Sequence, residues 1–429
     1  MKLSIQHLQL AKQESTVRRQ LGKLPIGLAK LYEWIYQSIL EYLPEDKVAT
    51  ETIFGWMLCA QESATLELMV AAVRMGSLKG RRDLIESQIL DLCCNLVVFD
   101  KILSEFRFAH LSVKEYLESR AEFAEEVVNT SAVSRCIDLL QMPKEHRTSN
   151  DLALQHYASS YWPIHYLCSG QSQHVGSGRE RFEKFLLGNF DSRNKNQDPT
   201  WVEGNVRDLA SPFTQLRPYY EILAGAITDP PNLLFIACMI KSAWILQLVD
   251  QKLEVKWDQK NHFGDTPLHY AAGNQYLTSV LQSKRRPELI SNSILQFYLM
   301  TVSLFKSRGT DIDIRDASGH TPLHWAARDG NVEMGRSLIA HGADIEAENK
   351  SWHTPMHLAA LKGQTRFAKM LHSRHANLEP PDERGYTPLH LSARSHQGEV
   401  CEFLVAQGVN PYVTEHDGRK LNWTHRLGS

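Results

Sequence analysis

Apolar residues recur at helical spacing along most of the chain. In GLAKLYEWIYQSILEYL, Leu28, Leu31, Ile35, Ile39 and Tyr42 share one face, so an amphipathic helix is predicted up to Pro44, which breaks it. Glu45 and Asp46 favour the start of the next helix, because acidic charge is stabilised near a helix N-terminus. Thr65 can cap LELMVAAVRM, which stops at Gly76. NLVVF and FRFAH then read as two short strands joined by a tight turn. In HLSVKEYLESR, Ser112 and Glu115 have capping-box spacing, and Val113, Tyr116 and Leu117 form the buried side. Residues 24–120 therefore read as compact, mostly helical and winged-helix-like.

The pattern weakens over 121–231. YASSYWPIHYLC places aromatics at helix-like spacing, and RERFEKFLLGNF reads as a short amphipathic helix between loop-like SGQSQHVGSG and NFDSRNKNQDPT. His156, His165 and Cys168 could be imagined as metal ligands, but no fourth ligand has matching spacing, so packing is the stronger reading.

Beyond 231 the pattern repeats. Thr321, Thr354 and Thr387 head GHTPLHWAARDGN, WHTPMHLAALKGQ and GYTPLHLSARSHQ at an interval of 33, and Thr266 heads an earlier copy 55 residues before Thr321. In each copy Thr is a good N-cap and the following Pro suits the first helical position, where no donor is needed. Leu323 and its equivalents face inward, and the Ala pair lets neighbouring helices approach. His269, His324, His357 and His390 lie three residues after their Thr, where each can bond locally and tie one helix to the next. A metal role for them is disfavoured, since each sits in a different repeat without a ligand partner at the right spacing. A second helix follows, as in NVEMGRSLIAHGAD, with Val332, Leu338 and Ile339 as its stripe and Gly342 as its stop. Asn261, Asp316, Asn349 and Asp382 each stand five residues before their Thr and suit a tight turn. NLLFIACMIKSAWILQLVDQKLEVKWDQKN is a degenerate first copy, aligning Ala237 with Ala271 and lacking the Thr-Pro cap. About five repeats span 232–419, with 420–429 as a truncated repeat or tail. The insertion near 281–302 reads as a surface loop, an extra helix or a translated intron.

Totals narrow the function. The chain has 429 residues, enough for two or three domains, and a net charge of -2, which argues against a mainly electrostatic binder of nucleic acid or membrane. Over 44–120, nine Lys and Arg face twelve Asp and Glu, the wrong sign for a DNA-binding wing, whose one support is KGRR at Lys79–Arg82. Seven cysteines without a C-x-x-C pair fit free thiols. No signal peptide or membrane span is read, so the cytoplasm is the expected compartment. No G-x-S-x-G or H-E-x-x-H occurs, nor a P-loop: MGSLKGRRD has the wrong spacing. No catalytic residue and no cofactor are expected.

The period of 33 with T-P-L-H-x-A resembles the ankyrin repeat, which implies a mainly α fold, a stack of helix pairs. KLPIGLAKLYEWIYQSIL, IFGWMLCAQESATLELMVAAV, FRFAHLSVKEYLESR and YASSYWPIHY resemble, in that order, the segment after the nucleotide-binding core of NACHT–ankyrin (STAND) signalling ATPases of filamentous fungi, over roughly 1–170. That resemblance implies a winged-helix and helical arm, here a truncated member without the motor. The expected layout is a helical and winged-helix-like region at 1–120, a connector at 121–231 and ankyrin repeats from 232. The expected function is a non-catalytic scaffold or sensor that binds a protein partner on the concave repeat face. The alternatives are a nucleotide-dependent switch ATPase and a winged-helix nucleic-acid binder. The variable positions of the repeat supply candidate contacts: Trp325, Arg328 and Asp329; Leu358, Leu361 and Lys362; Leu391, Arg394 and Ser395. The turn tips add His320, Trp352, His353 and Tyr386. Trp352 stands where sister repeats have Gly, either as an exposed contact or packed on Lys350 or an adjacent tip.

Overall fold

The computed structural model describes residues 26–76, 84–142, 151–169, 177–187, 233–261, 263–273 and 291–410. Lys79–Arg82, the two loops flanking 177–187, the start of the insertion, the tail and the His156 side chain lie outside the described residues. The chain divides into two compact units, Met1–Ala210 and Ser211–Ser429.

In the first unit, α1 (Ile26–Leu40) buries Tyr32, Ile35, Tyr36 and Ile39. Pro44 opens α2 (Pro44–Cys59), with Glu45 and Asp46 in its first turn. Thr65 Oγ1 accepts from the Leu68 amide at the start of α3 (Leu66–Gly76). After α4 (Glu86–Leu92) come β1 (Val97–Asp100) and β2 (Glu105–Phe108), antiparallel, with Val97 opposite Phe108. Asp100 Oδ1 closes their turn by accepting from the Ile102 and Leu103 amides. The cap of α5 (Leu111–Glu118) differs from the sequence reading. His110, with extended backbone, is the N-cap, and its Nδ1 accepts from the Ser112 amide at 3.1 Å. Ser112 already lies inside the helix, 2.8 Å from the Tyr32 hydroxyl.

The helices α6 (Glu125–Gln141) and α7 (Asp151–Cys168) pack on each other and on α2 and α3. The described helices between 121 and 187 belong to the body of the first unit, among them α8 (Ser177–Leu187), whose Phe182 and Phe185 meet Trp162. A polar chain crosses this core. The Gln61 amide donates to the Tyr157 hydroxyl at 3.0 Å, which lies 2.7 Å from His165 Nε2, while His165 Nδ1 lies 2.7 Å from Asn129 Oδ1. A carboxamide oxygen only accepts, so Nδ1 carries the proton and Tyr157 donates to Nε2. Both nitrogens of this fully buried ring are thus engaged in packing.

The second unit is two rows of helices. The first row holds α9 (Leu233–Met239), α11 (Pro267–Ala272), α13 (Pro322–Asp329), α15 (Pro355–Leu361) and α17 (Pro388–Arg394), each packed on the next. The second row holds α10 (Ala243–Lys252), α12 (Ser291–Ser307), α14 (Val332–Ala340), α16 (Thr365–His372) and α18 (Gly398–Ala406). Residues 291–302 of the insertion are the front of α12 and bury Phe297, Tyr298, Thr301 and Val302. In α14 the buried stripe is Met334, Gly335 and Leu338, with Val332 and Ile339 only half-buried. The face is set by Gly335, where an added Cβ would come within 2.6 Å of the Phe367 ring.

Two side-chain ladders hold the repeats in register. In the first, Thr and His form a reciprocal cap: the Thr amide donates to His Nδ1, and His Nε2 donates to a carbonyl of the next repeat. The bonds are His269 to His320 O at 3.0 Å, His324 to His353 O at 2.8 Å, and His357 to Tyr386 O at 3.1 Å. In the second, carboxylates at Asp313, Glu346 and Glu379 accept from the amides of Asp344, Asn377 and Asn410, each in the following repeat. The degenerate first repeat uses a different device. Lys241 has positive φ, as Gly330 and Gly363 do, and is 1% exposed. Its Nζ lies 2.5 Å from each of three carbonyl oxygens at the end of α11, those of Tyr270, Ala271 and Gly273. Burial pushes this amine down to about 7, while the charged form gains from having one proton for each carbonyl and from its place at a helix C-terminus.

Two expectations follow. Burial pushes His269 and His357 down to about 4 and His324 to about 3, against the pull of the carbonyls they donate to. Unfolded, each would titrate near the ordinary histidine value, so the unfolded chain binds more protons below it. Stability should fall as the pH drops from 6.5 toward 4, by up to about 1.4 kcal/mol per pH unit per histidine. Urea unfolding at pH 7.5, 6.5 and 5.5 checks this; a flat profile between 6.5 and 5.5 would contradict it. Lys241→Met keeps the stem but strips three carbonyls of their donor, and should destabilise the second unit by about 2 kcal/mol in the same assay.

Candidate functional site

Only one strip of the first-row helices reaches solvent. In α11 every residue is buried; in α13 the accessible side chains are Trp325, Arg328 and Asp329. In α15 they reduce to Leu361, followed by Lys362, and α17 ends at exposed Arg394 and half-buried Ser395. Above this strip stand the turn tips. Each is built by an Asn or Asp whose Oδ1 accepts two amides of its own turn: Asp316 from Ser318 and His320, Asn349 from Ser351 and His353, Asp382 from Arg384 and Tyr386. Adjacent tips also bond to each other, the Lys350 amide to Ser318 O and the Glu383 amide to Ser351 O. The approach is close enough to demand glycine. A Cβ on Gly319, at φ 81°, would meet the Lys350 nitrogen at 3.0 Å.

The structure divides the candidate contact residues. Trp325 is half-buried and braces the stack: its Nε1 donates to Asp316 Oδ2 at 3.0 Å and its ring tilts against Tyr270 at 5.7 Å. The Arg328 guanidinium lies 4.4 Å over that ring and donates to Asp329 Oδ1. Leu358 and Leu391 hold the equivalent places and are buried, at 6% and 5% exposure. That corrects their reading as exposed contacts: at this place an aliphatic side chain is used up between neighbouring repeats. His320, His353 and Tyr386 are half-buried tip residues that lean on the His of their own repeat. His353 Nε2 also lies 3.2 Å from Asp382 Oδ2 of the next tip.

Burial alone would raise the carboxyl pKa of Asp316, but hydrogen bonds from His320 and Trp325 outweigh it and hold the group well below the usual carboxylate range. These tip carboxylates are committed to their turns. Among the described residues no group of three or more His, Cys, Asp or Glu could hold a metal ion. No described helix is long and apolar enough to cross a membrane.

Trp352 is 55% exposed, with φ 60° where Gly264, Gly319 and Gly385 have φ near 80°. A bulky residue there costs roughly 1–2 kcal/mol relative to glycine. Lys350 instead runs over Gly319, and no ring or cation stacks on Trp352 among the described residues. Two features escaped the sequence reading. Phe263, beside Gly264, is a second exposed aromatic at a tip, and Arg315 reaches from its own turn to Glu348 O of the next. Lys260, 55 residues earlier, donates likewise to Arg315 O, so the repeat interval could have revealed this pair.

The family described as ankyrin repeats (three copies) matches residues 292–382 and 342–415. A search of the curated proteins found no match. The helix pairs, reciprocal caps and histidine bonds extend the same unit upstream to Thr266, so the C-terminal part of the chain is an array of ankyrin repeats.

Proposed function

We propose that the chain is a non-catalytic scaffold or sensor whose repeat array binds a protein partner along the strip and tips just described. The observation that carries this is Trp352: an exposed tryptophan in a conformation that favours glycine, on the accessible side of the stack. Large aromatics in such places are frequent centres of protein interfaces. The strip also offers a mixed surface, with aromatic, aliphatic and charged groups in reach of one extended segment.

The first unit is proposed to be the arm that couples the repeats to a nucleotide-driven NACHT-type motor. FAHLSVKEYL and the order of helices, hairpin and helix support that reading by resemblance. On it the chain itself hydrolyses no nucleotide. Saturable nucleotide binding in a calorimetric titration of the chain would favour the switch-enzyme reading instead.

Photo-crosslinking tests the binding surface. A benzoylphenylalanine placed at Lys362 or Arg394 should give discrete protein adducts in cells, while the same probe at Arg336 or Glu402, exposed on the second-row helices, should not. Equal adducts from both rows, or none from the strip, would contradict the proposal. Trp352→Gly should lower the adduct yield from Lys362 several-fold while leaving the melting temperature unchanged or raised; a fall in melting temperature would make Trp352 a packing residue.

A further inference from the structure

The charges on this surface are not evenly committed. Asp316 and Asp382 are spent on their turns, and Asp329 is held by Arg328. Arg315 is spent on two carbonyls, and Glu383 lies 4.0 Å from Arg384. Lys350, Lys362 and Arg394 remain exposed, and none has a carboxylate partner among the described residues. Two exposed carboxylates, Glu348 and Glu383, stand on the tips against these three cations and exposed Arg384. The balance is opposite in sign to that of the whole chain, which carries -2.

One of these cations shares the turn of Trp352, and the other two lie along the strip at the ends of α15 and α17. Lys350 is two residues before it on the same turn. Lys362 ends α15, the helix that Trp352's turn leads into, and Arg394 holds the place just before Lys362's equivalent in the next repeat. An α-helix rises 1.5 Å per residue, so Thr354 and Lys362 are about 12 Å apart, a span of roughly four extended residues. An apolar group set against Trp352 would leave neighbouring carboxylates within reach of the cations.

We propose that the partner presents an acidic stretch with an apolar side chain, the apolar group on Trp352 and the carboxylates on Lys350, Lys362 and Arg394. This rests on the reading of the strip and tips as the binding surface and names the partner's chemistry. Cations on an exposed rim steer an acidic partner and set its salt dependence, while the aromatic supplies the anchor.

The test uses the full chain and three fluorescent twelve-residue peptides, read by anisotropy. One is rich in Asp and Glu with two Leu; the second replaces its acids by Lys; the third replaces its Leu by Ser. The acidic, Leu-bearing peptide should bind, and its Kd should rise at least threefold between 50 and 200 mM salt. The Lys peptide should not bind, and the Ser peptide should bind at least fivefold more weakly. The double variant Lys362→Glu/Arg394→Glu should weaken the first peptide at least tenfold with the melting temperature unchanged. Trp352→Gly should abolish the advantage of Leu over Ser without a loss of melting temperature. Equal or tighter binding of the Lys peptide, undiminished binding by the double variant, or binding of none of the three would overturn the proposal. Cross-links from Lys362 and Arg394 alongside any of those results would leave the strip as the binding surface and reject only this chemistry.

Discussion

The second unit depends on a hydrogen bond that no single repeat can make alone. His269, His324 and His357 each accept from their own Thr on one ring nitrogen and give the other N–H to a carbonyl of the next repeat. The ring is buried, so both nitrogens must be satisfied. The requirement fixes the tautomer, and the tautomer fixes which neighbour can sit alongside. Hydrophobic burial between rows drives the stacking, but it is tolerant of small slips. The histidine bonds and the Asp313, Glu346 and Glu379 bonds on a separate ladder are not.

Register in turn makes a surface. Once first-row helices are aligned, nearly all their residues are used between neighbours, and what is left over faces one way. Trp325 shows how narrow the margin is: it sits on the accessible strip yet is held by Asp316, Tyr270 and Arg328. Trp352 lies on the other side of that margin, with its ring free to meet something else. The first unit follows a different logic, with helices closed around the chain from Gln61 through Tyr157 and His165 to Asn129, where a core histidine is satisfied by Tyr157 of its own helix and Asn129 of α6.

Much of the repeat unit was readable because its spacing and residue types recur together. A Thr-Pro cap, an Ala pair and a His at constant offset describe both the helix start and the bond to the next helix. The carboxylate ladder has the same interval but alternates Asp and Glu, so no identical string marks it. Lys241 was hidden for the opposite reason: its repeat lacks the cap, and its side chain reaches forward to the end of α11, whereas Asn331 and Gln364 each reach back to the helix of the preceding repeat. Leu358 and Leu391 were read as exposed because their place varies between repeats. A variable position is open only when its side chain outgrows the gap, as Trp325 partly does. The cap of α5 went to His110, because backbone extension, which the string does not display, decides the N-cap.

The tautomer of the repeat histidines tests the stack most directly. Long-range ¹H–¹⁵N spectra of histidine-labelled protein at pH 6 should show His269, His324 and His357 neutral, protonated on Nε2, and unchanged down to pH 5. Protonation on Nδ1, or titration of these rings near pH 6.5, would mean that the bonds joining one repeat to the next are not made.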